Sequence, residues 1–109
     1  LTEQTRGMIG EREIGLMKPS AILINTARGP VVDSAALAAA LKEGRLAGAA
    51  VDVYETEPPI PQDHPLLSAP HVAATPHVAF ATKEALYQRA VIVSDNVGGY
   101  LDGKRQDVM

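Results

Sequence analysis

Cysteine is absent from all 109 residues, which excludes disulfide bridges and thiolate metal sites. Basic side chains are also not in surplus, because 10 lysines and arginines face 13 acidic residues and give a net charge of −3. The chain therefore lacks the basic footprint of a nucleic-acid-binding protein, and we expect no nucleic-acid partner. The missing cysteines fit a reducing compartment, so a cytoplasmic location is expected.

Long apolar runs are missing as well. No stretch approaches the roughly 18 consecutive apolar residues that a transmembrane helix requires, and the N-terminus lacks the charged-then-apolar pattern of a signal peptide. The remaining composition, with 46% hydrophobic and 21% charged residues, is typical of a globular protein. The sequence predicts one small domain without a membrane segment.

Three short segments place polar side chains directly after apolar runs. They read INTARGP at positions 24–30, VDVYETEP at 51–58 and ATPHVAF at 74–80. In open α/β folds, ligands bind at the edge formed by the carboxyl ends of the strands. Arg28, Glu57 and His77 are therefore expected to converge at such an edge.

The pattern along the chain predicts alternating helices and strands, which is typical of an α/β fold with parallel strands. The continuous aliphatic run at 21–24 favours a strand that is covered on both faces. Either Asp33 or Ser34 can cap the second helix, and Thr82 the last one. The expected elements are helix 11–18, strand 21–24, helix 34–43, strand 46–51, a proline-rich loop 55–70, strand 72–74 and a helix after Thr82 with an apolar stripe.

Together these segments resemble the D-isomer-specific 2-hydroxyacid dehydrogenases, from the initial LTEQT through DVYETEPP and TPHVAFAT to the last helix. The resemblance implies the second half of a Rossmann-type doubly wound parallel sheet. It also implies the C-terminal part of the NAD-binding domain of a larger enzyme. No G-x-G-x-x-G turn occurs in the chain, so the phosphate-binding half and most of the substrate domain are expected elsewhere, and the isolated chain should be inactive.

In the resembling family, three positions carry the chemistry. Arg28 would bind the carboxylate and carbonyl of the substrate, and its planar guanidinium suits that task. His77 would exchange a proton with the substrate oxygen, and Glu57 would hydrogen-bond that histidine. Glu55 is a rival for the role of Glu57, although the family match favours Glu57 and makes Glu55 a solvated loop residue.

The resemblance also implies contacts to the cofactor, which would be NAD or NADP. The expected contact residues are Thr26, Ala27, Arg28, Asp52, His77, Val78, Ala79 and Phe80. The family commonly has two glycines where this chain has Ala79 and Phe80, so backbone access there is in question. His64 and His71 are expected to be structural or exposed, and the spacing of the histidines predicts no metal site.

The implied function is hydride transfer between NAD(P) and a small 2-hydroxy or 2-keto acid by a homodimer. Glycerate, hydroxypyruvate and phosphoglycerate are plausible substrates within the family. An alternative is a non-catalytic module that senses dinucleotides and acts as a corepressor, because an intact catalytic set does not by itself separate an enzyme from a sensor. A formate-dehydrogenase-like enzyme is disfavoured, because that relative has glutamine where this chain has Glu57.

Overall fold

The computed structural model describes residues 1–56 and 59–104. This part of the chain contains three α-helices and three strands, with short 3-10 turns at Gly29–Val31 and Pro65–Leu67; no α-helix separates the second strand from the third. In chain order the elements are α1 (Glu11–Gly15), β1 (Ile22–Asn25), α2 (Ser34–Lys42), β2 (Gly48–Val51), β3 (Val72–Ala74) and α3 (Lys83–Leu101).

The three strands form one parallel sheet in the order β1-β2-β3. Parallel neighbours need a crossover between them, and α2 supplies the crossover from β1 to β2. The α/β class with parallel strands that the sequence predicts is therefore confirmed. The 55–70 loop is interrupted by the 3-10 turn Pro65–Leu67, which the sequence did not predict.

The core lies between the sheet and the first two helices. Ile14 of α1 and Leu37 and Leu41 of α2 are fully buried. They belong to one hydrophobic cluster with Leu23 and Val51 of the sheet. The regular spacing of Leu37, Ala38 and Leu41 along α2 is the one-sided apolar pattern that directs a helix onto a sheet.

The expectation that β1 is covered on both faces is wrong in this structure. Ile22 and Ile24 are 65% and 67% exposed, whereas Leu23 and Asn25 between them are buried. Side chains alternate across a strand, so one face of β1 meets the core and the other is open. An all-aliphatic run does not reveal which face has a partner.

Helix boundaries differ modestly from the predicted ones. α1 ends at Gly15 rather than Lys18, because Leu16 and Met17 donate to Glu13 and Ile14 in tight i→i+3 bonds that close the last turn. Asp33, not Ser34, caps α2, since its side chain accepts bonds from the Ala35 and Ala36 amides. The predicted cap of α3 by Thr82 is confirmed by its bond from the Ala85 amide.

The chain divides into two compact units, Leu1–His77 and Val78–Met109, where the sequence predicts one domain. In the second unit α3 continues through Gly98 and Gly99 and stops where Gly103 adopts a left-handed φ of 72°. Glycine adopts that conformation readily, which is why it ends helices. Of the described helices, none has the length and apolar character required to cross a membrane.

Candidate functional site

The carboxyl ends of the three strands lie side by side. Asn25 of β1 pairs in register with Val51 of β2, and Val51 pairs with Ala74 of β3. The polar residues that follow each strand therefore start from the same edge of the sheet. This is the edge at which open α/β sheets bind ligands.

Hydrogen bonds connect the carboxyl ends of the three strands. The Asp52 amide donates to the Asn25 carbonyl at 3.0 Å, and the Thr75 amide donates to the Val51 carbonyl at 2.9 Å. The Thr75 hydroxyl donates to Asp52 Oδ1 at 2.6 Å. Asp52 is 3% exposed, so its carboxylate is a buried acceptor held in a defined orientation at the sheet edge.

Arg28 lies in a loop that the Asn25 side chain organises. Asn25 Nδ2 donates to the Arg28 carbonyl and Asn25 Oδ1 accepts from the Ala27 amide, both at 3.1 Å. Thr26, Ala27 and Arg28 are exposed, and Arg28 Nη1 donates to the Ala27 carbonyl at 2.7 Å. The loop backbone is thus fixed, and the guanidinium stands at the surface where an anion can reach it.

Gly29 brings this loop against the segment that follows β2. A Cβ atom at Gly29 would overlap the backbone of Tyr54 and Glu55, so only glycine permits this close approach. The loop carrying Arg28 and the loop starting at Tyr54 therefore hold each other in place.

His77 follows β3 through Thr75 and Pro76 and is half-buried. Its φ of 57° lies in the left-handed region, which few non-glycine residues adopt. Such outliers cluster at functional sites, where the surrounding structure enforces them. The chain path from β3 through Thr75, whose amide bonds to the Val51 carbonyl, brings His77 to the same edge as Asp52 and the Arg28 loop.

Glu57, the predicted partner of His77, lies outside the described residues. Its rival Glu55 is described and is an exposed loop residue, as expected, but it also has partners within the chain. The Glu55 side chain is 39% exposed, but its Oε2 accepts a bond from His64 Nε2 at 2.8 Å. Burial raises the pKa of Glu55, but hydrogen bonds from Ser34 and His64 outweigh it and leave that pKa below its ordinary value.

His64 was expected to be either structural or exposed, and in the structure it is a structural residue. It is 9% exposed, its Nδ1 accepts from the Leu66 amide at 3.3 Å, and the Tyr54 ring meets it edge-on at 5.3 Å. His71 is exposed and has a left-handed φ of 57°. The link between His64 and Glu55 joins residues nine apart across a proline-rich loop, so no periodic sequence signal announces it.

The remaining predicted cofactor contacts, Val78, Ala79 and Phe80, belong to the second unit. Phe80 is about half exposed, and the Arg89 guanidinium lies 4.9 Å from its ring centroid in a cation–π contact. Phe80 is therefore anchored to α3. Within residues 1–56 and 59–104, no group of three or more His, Asp or Glu side chains is arranged to hold a metal ion.

Comparison with known proteins assigns this architecture to a family. Residues 1–79 match the domain family described as D-isomer specific 2-hydroxyacid dehydrogenase, NAD binding domain. A glyoxylate/hydroxypyruvate reductase B of Enterobacter agglomerans is 52% identical over 104 residues, covering 95% of this chain and 32% of that protein. A glyoxylate reductase of Aeropyrum pernix is 47% identical over 104 residues, covering 95% of this chain and 31% of its own length.

Solved structures agree with this family assignment. An acyclic imino acid reductase in complex with NADPH and D-Arg superposes with a TM-score of 0.89 at 32% identity, over 100% of this chain and 34% of that one. The NAD complex of a D-isomer specific 2-hydroxyacid dehydrogenase from Lactobacillus delbrueckii ssp. bulgaricus gives 0.82 at 36% identity, over 98% and 36%. The chain spans about a third of the length of these relatives. It belongs to the NAD-binding domain family of the D-isomer-specific 2-hydroxyacid dehydrogenases.

Proposed function

We propose that this chain is the C-terminal part of the nucleotide-binding domain of an NAD(P)-dependent dehydrogenase that acts on small 2-hydroxy and 2-keto acids. The observation that carries the proposal is the common sheet edge shared by the Arg28 loop, the buried Asp52 carboxylate and His77. The phosphate-binding half and most of the substrate domain would come from outside this chain. Only the enzyme assembled from all these parts would be active.

Arg28 binds the substrate in this proposal. Its exposed guanidinium offers a planar fork of donors to the carboxylate and the neighbouring carbonyl oxygen of a keto acid. The Asn25 side chain and Gly29 fix the loop on which Arg28 stands, so the donors are pre-positioned. Such positioning lowers the entropic cost of bringing the substrate to the reacting centre.

His77 transfers the proton. During reduction its imidazolium donates a proton to the keto oxygen, and during oxidation the neutral ring takes the proton back. Glu57 accepts a hydrogen bond from the ring, holds one ring orientation and favours the charged form. The constrained backbone at His77 supports this role, because it fixes the point from which the ring reaches out.

The edge also fits a nicotinamide ring. The buried Asp52 carboxylate suits a carboxamide N–H donor, and exposed Thr26 and Ala27 give close backbone access. Arg28 and His77 belong to the proposed contact set as well, and the family resemblance adds Val78, Ala79 and Phe80 to it. When bound, the nicotinamide supplies or accepts the hydride, while the protein side chains orient the substrate and handle the proton. The cofactor is NAD or NADP, since relatives carry either one.

The substrates we propose are glyoxylate and hydroxypyruvate, because the relatives reported above are named for them. The catalytic assembly is proposed to be a cytoplasmic homodimer. The test is turnover of glyoxylate, hydroxypyruvate and pyruvate by the intact protein, meaning the whole polypeptide in which these residues occur, with NADH and with NADPH. Dinucleotide binding without turnover of any keto acid would instead favour a sensing or corepressor module.

A further inference from the structure

The Asp52 carboxylate lies where the ends of two strands meet. Asp52 follows β2 directly and is 3% exposed, and Thr75 follows β3 directly. The register pairs Val51 of β2 with Ala74 of β3, so the next residue of each strand starts from an adjacent position at the sheet edge. A charged group is costly to bury without hydrogen bonds, so the donors around this carboxylate matter for its role.

Thr75 supplies one of those donors and is itself held at two points. Its amide donates to the Val51 carbonyl at 2.9 Å, and its hydroxyl donates to Asp52 Oδ1 at 2.6 Å. A hydroxyl bonded to a carboxylate makes a charge-assisted bond, which is shorter and stronger than a bond between neutral groups. The backbone bond fixes the position of Thr75, and the hydroxyl bond then fixes the orientation of the carboxylate.

The residue type and its neighbour both favour a fixed hydroxyl. Threonine is β-branched, so rotation about its first side-chain bond is restricted. Pro76 comes next in the chain, and the residue before a proline is confined to extended backbone. Valine has nearly the same shape as threonine without the donor, whereas serine keeps the donor without the branch. The hydroxyl can therefore be tested separately from the shape of the side chain.

We propose that Thr75 is a positioning residue for the cofactor, because its hydroxyl orients the Asp52 carboxylate to accept the carboxamide N–H of the nicotinamide. The inference rests on the proposed function, in which Asp52 accepts that bond. An ionised carboxylate can accept about four hydrogen bonds, so the bond from Thr75 is compatible with one from the cofactor. Thr75 touches no reacting atom in this role and acts through Asp52.

The binding test uses cofactors that differ at one group. In the acetylpyridine analogues of NADH and NADPH, a methyl group replaces the amino group of the carboxamide, so the donor for Asp52 is missing. Calorimetric titration of the intact protein measures how much more tightly NADH or NADPH binds than its analogue. We expect the unmodified protein to prefer the carboxamide by about 10-fold, and Thr75→Val by less than about 2-fold. Thr75→Ser should keep the preference within about 3-fold of the original.

Two further comparisons separate positioning from a general loss of stability. Thr82→Val removes a threonine hydroxyl that caps α3 and accepts from the Ala85 amide, and it should leave the carboxamide preference unchanged. In an Asp52→Asn background, Thr75→Val should change that preference by less than about 2-fold, because the carboxylate that the hydroxyl orients is gone. An unchanged preference in Thr75→Val alone would overturn the role of Thr75.

Steady-state kinetics distinguish this inference from the proposed function. Thr75→Val should raise KM for the dinucleotide by about 5-fold or more and change KM for the keto acid by less than about 3-fold, since Arg28 is proposed to bind the acid. Turnover by the unmodified protein with equal KM values in Thr75→Val would overturn the role of Thr75 alone. Carboxamide preference lost in Thr75→Val, but no turnover by the unmodified protein, would support that role and overturn the dehydrogenase activity. No binding of either dinucleotide by the unmodified protein would overturn both.

Discussion

At the scale of single residues, replacing His77 and replacing Arg28 are predicted to change different kinetic constants. In the intact protein, His77→Ala should lower kcat by about 10²–10⁴-fold, because general acid–base assistance is lost. Arg28→Ala should in addition raise KM for the keto acid, because the carboxylate loses its paired donors. Steady-state kinetics separate the two effects, with the exposed Arg12→Ala as control. Full turnover by the His77 variant would refute its assignment.

Glu57 is predicted to set the pH dependence of turnover. A carboxylate beside the acid–base histidine favours the charged ring, so Glu57→Gln should move the pH–rate profile to lower pH and reduce turnover. The profile of kcat/KM between about pH 5 and 10 measures this, because the limbs report groups of the free enzyme. An unchanged profile would point instead to Glu55 or to a partner outside this chain.

The positions of three residues at this edge could be predicted from the sequence, while their roles rest on the family resemblance. Arg28, Asp52 and His77 each follow a recognisable apolar run, and a strand brings the polar residues after it to the edge of the sheet. The contacts of Glu55 were not predictable. Its bonds depend on His64, nine residues away, and on Ser34 at the start of another element, and only the folded chain brings these together.

At the scale of elements, the contact between two loops gives a sharp prediction for Gly29. Gly29→Ala places a methyl group into the Tyr54–Glu55 backbone, which must shift. We expect a loss of about 1–3 kcal/mol in the free energy of unfolding, as for other overpacked sites. Gly15→Ala is the matched control, because nothing lies near its Cβ position, and it should be neutral or gain up to about 1 kcal/mol.

Denaturant unfolding followed by circular dichroism measures both glycine variants. Equal stability of Gly29→Ala and the unmodified chain would mean that the two loops are not held together as the structure places them. A loss in both variants would mean that glycine as such, and not the close approach at Gly29, determines stability.

The loop from Glu55 to His64 should also make stability depend on acid. Hydrogen bonds from Ser34 and His64 hold the pKa of Glu55 below its ordinary value. The stabilisation is therefore complete above the unfolded pKa, about 4.3, and is lost as pH falls through the lower folded pKa. Glu55→Gln should destabilise the chain at pH 6 and less so at pH 3. Urea unfolding at both values tests this, with exposed Glu3→Gln as control.

Element boundaries were predictable where a residue with a fixed backbone preference marks them. Pro76 follows β3 and the predicted bounds 72–74 hold, whereas β1 and β2 begin later than the aliphatic runs that predicted them. The open face of β1 was not predictable. Ile22 and Leu23 are chemically alike, and only the location of α1 and α2 decides which of them is buried.

At the scale of the whole molecule, the chain is predicted to hold half of a dinucleotide site. It provides strand ends, the buried Asp52 carboxylate and the proposed acid–base residue His77, but its sequence has no glycine-rich turn leading to a helix N-terminus that would bind the phosphates. Its match to about a third of each relative agrees with this division. The family implied by the sequence is confirmed, while the division of labour with a missing half stays a prediction.

The isolated chain of 109 residues is therefore predicted to bind NADH poorly, to lack dehydrogenase activity and to self-associate. In its described part, β1 pairs on one side only, with β2, and presents exposed Ile22 and Ile24. Free strand edges and apolar sheet faces promote association with another chain. Calorimetric titration should detect no micromolar binding, and light scattering should give a mass above the 11.5 kDa monomer. Ile24→Lys should shift the chain towards monomer, because a charge on the open face opposes burial there. Micromolar cofactor binding by a strictly monomeric chain would show that the phosphate-binding half is dispensable.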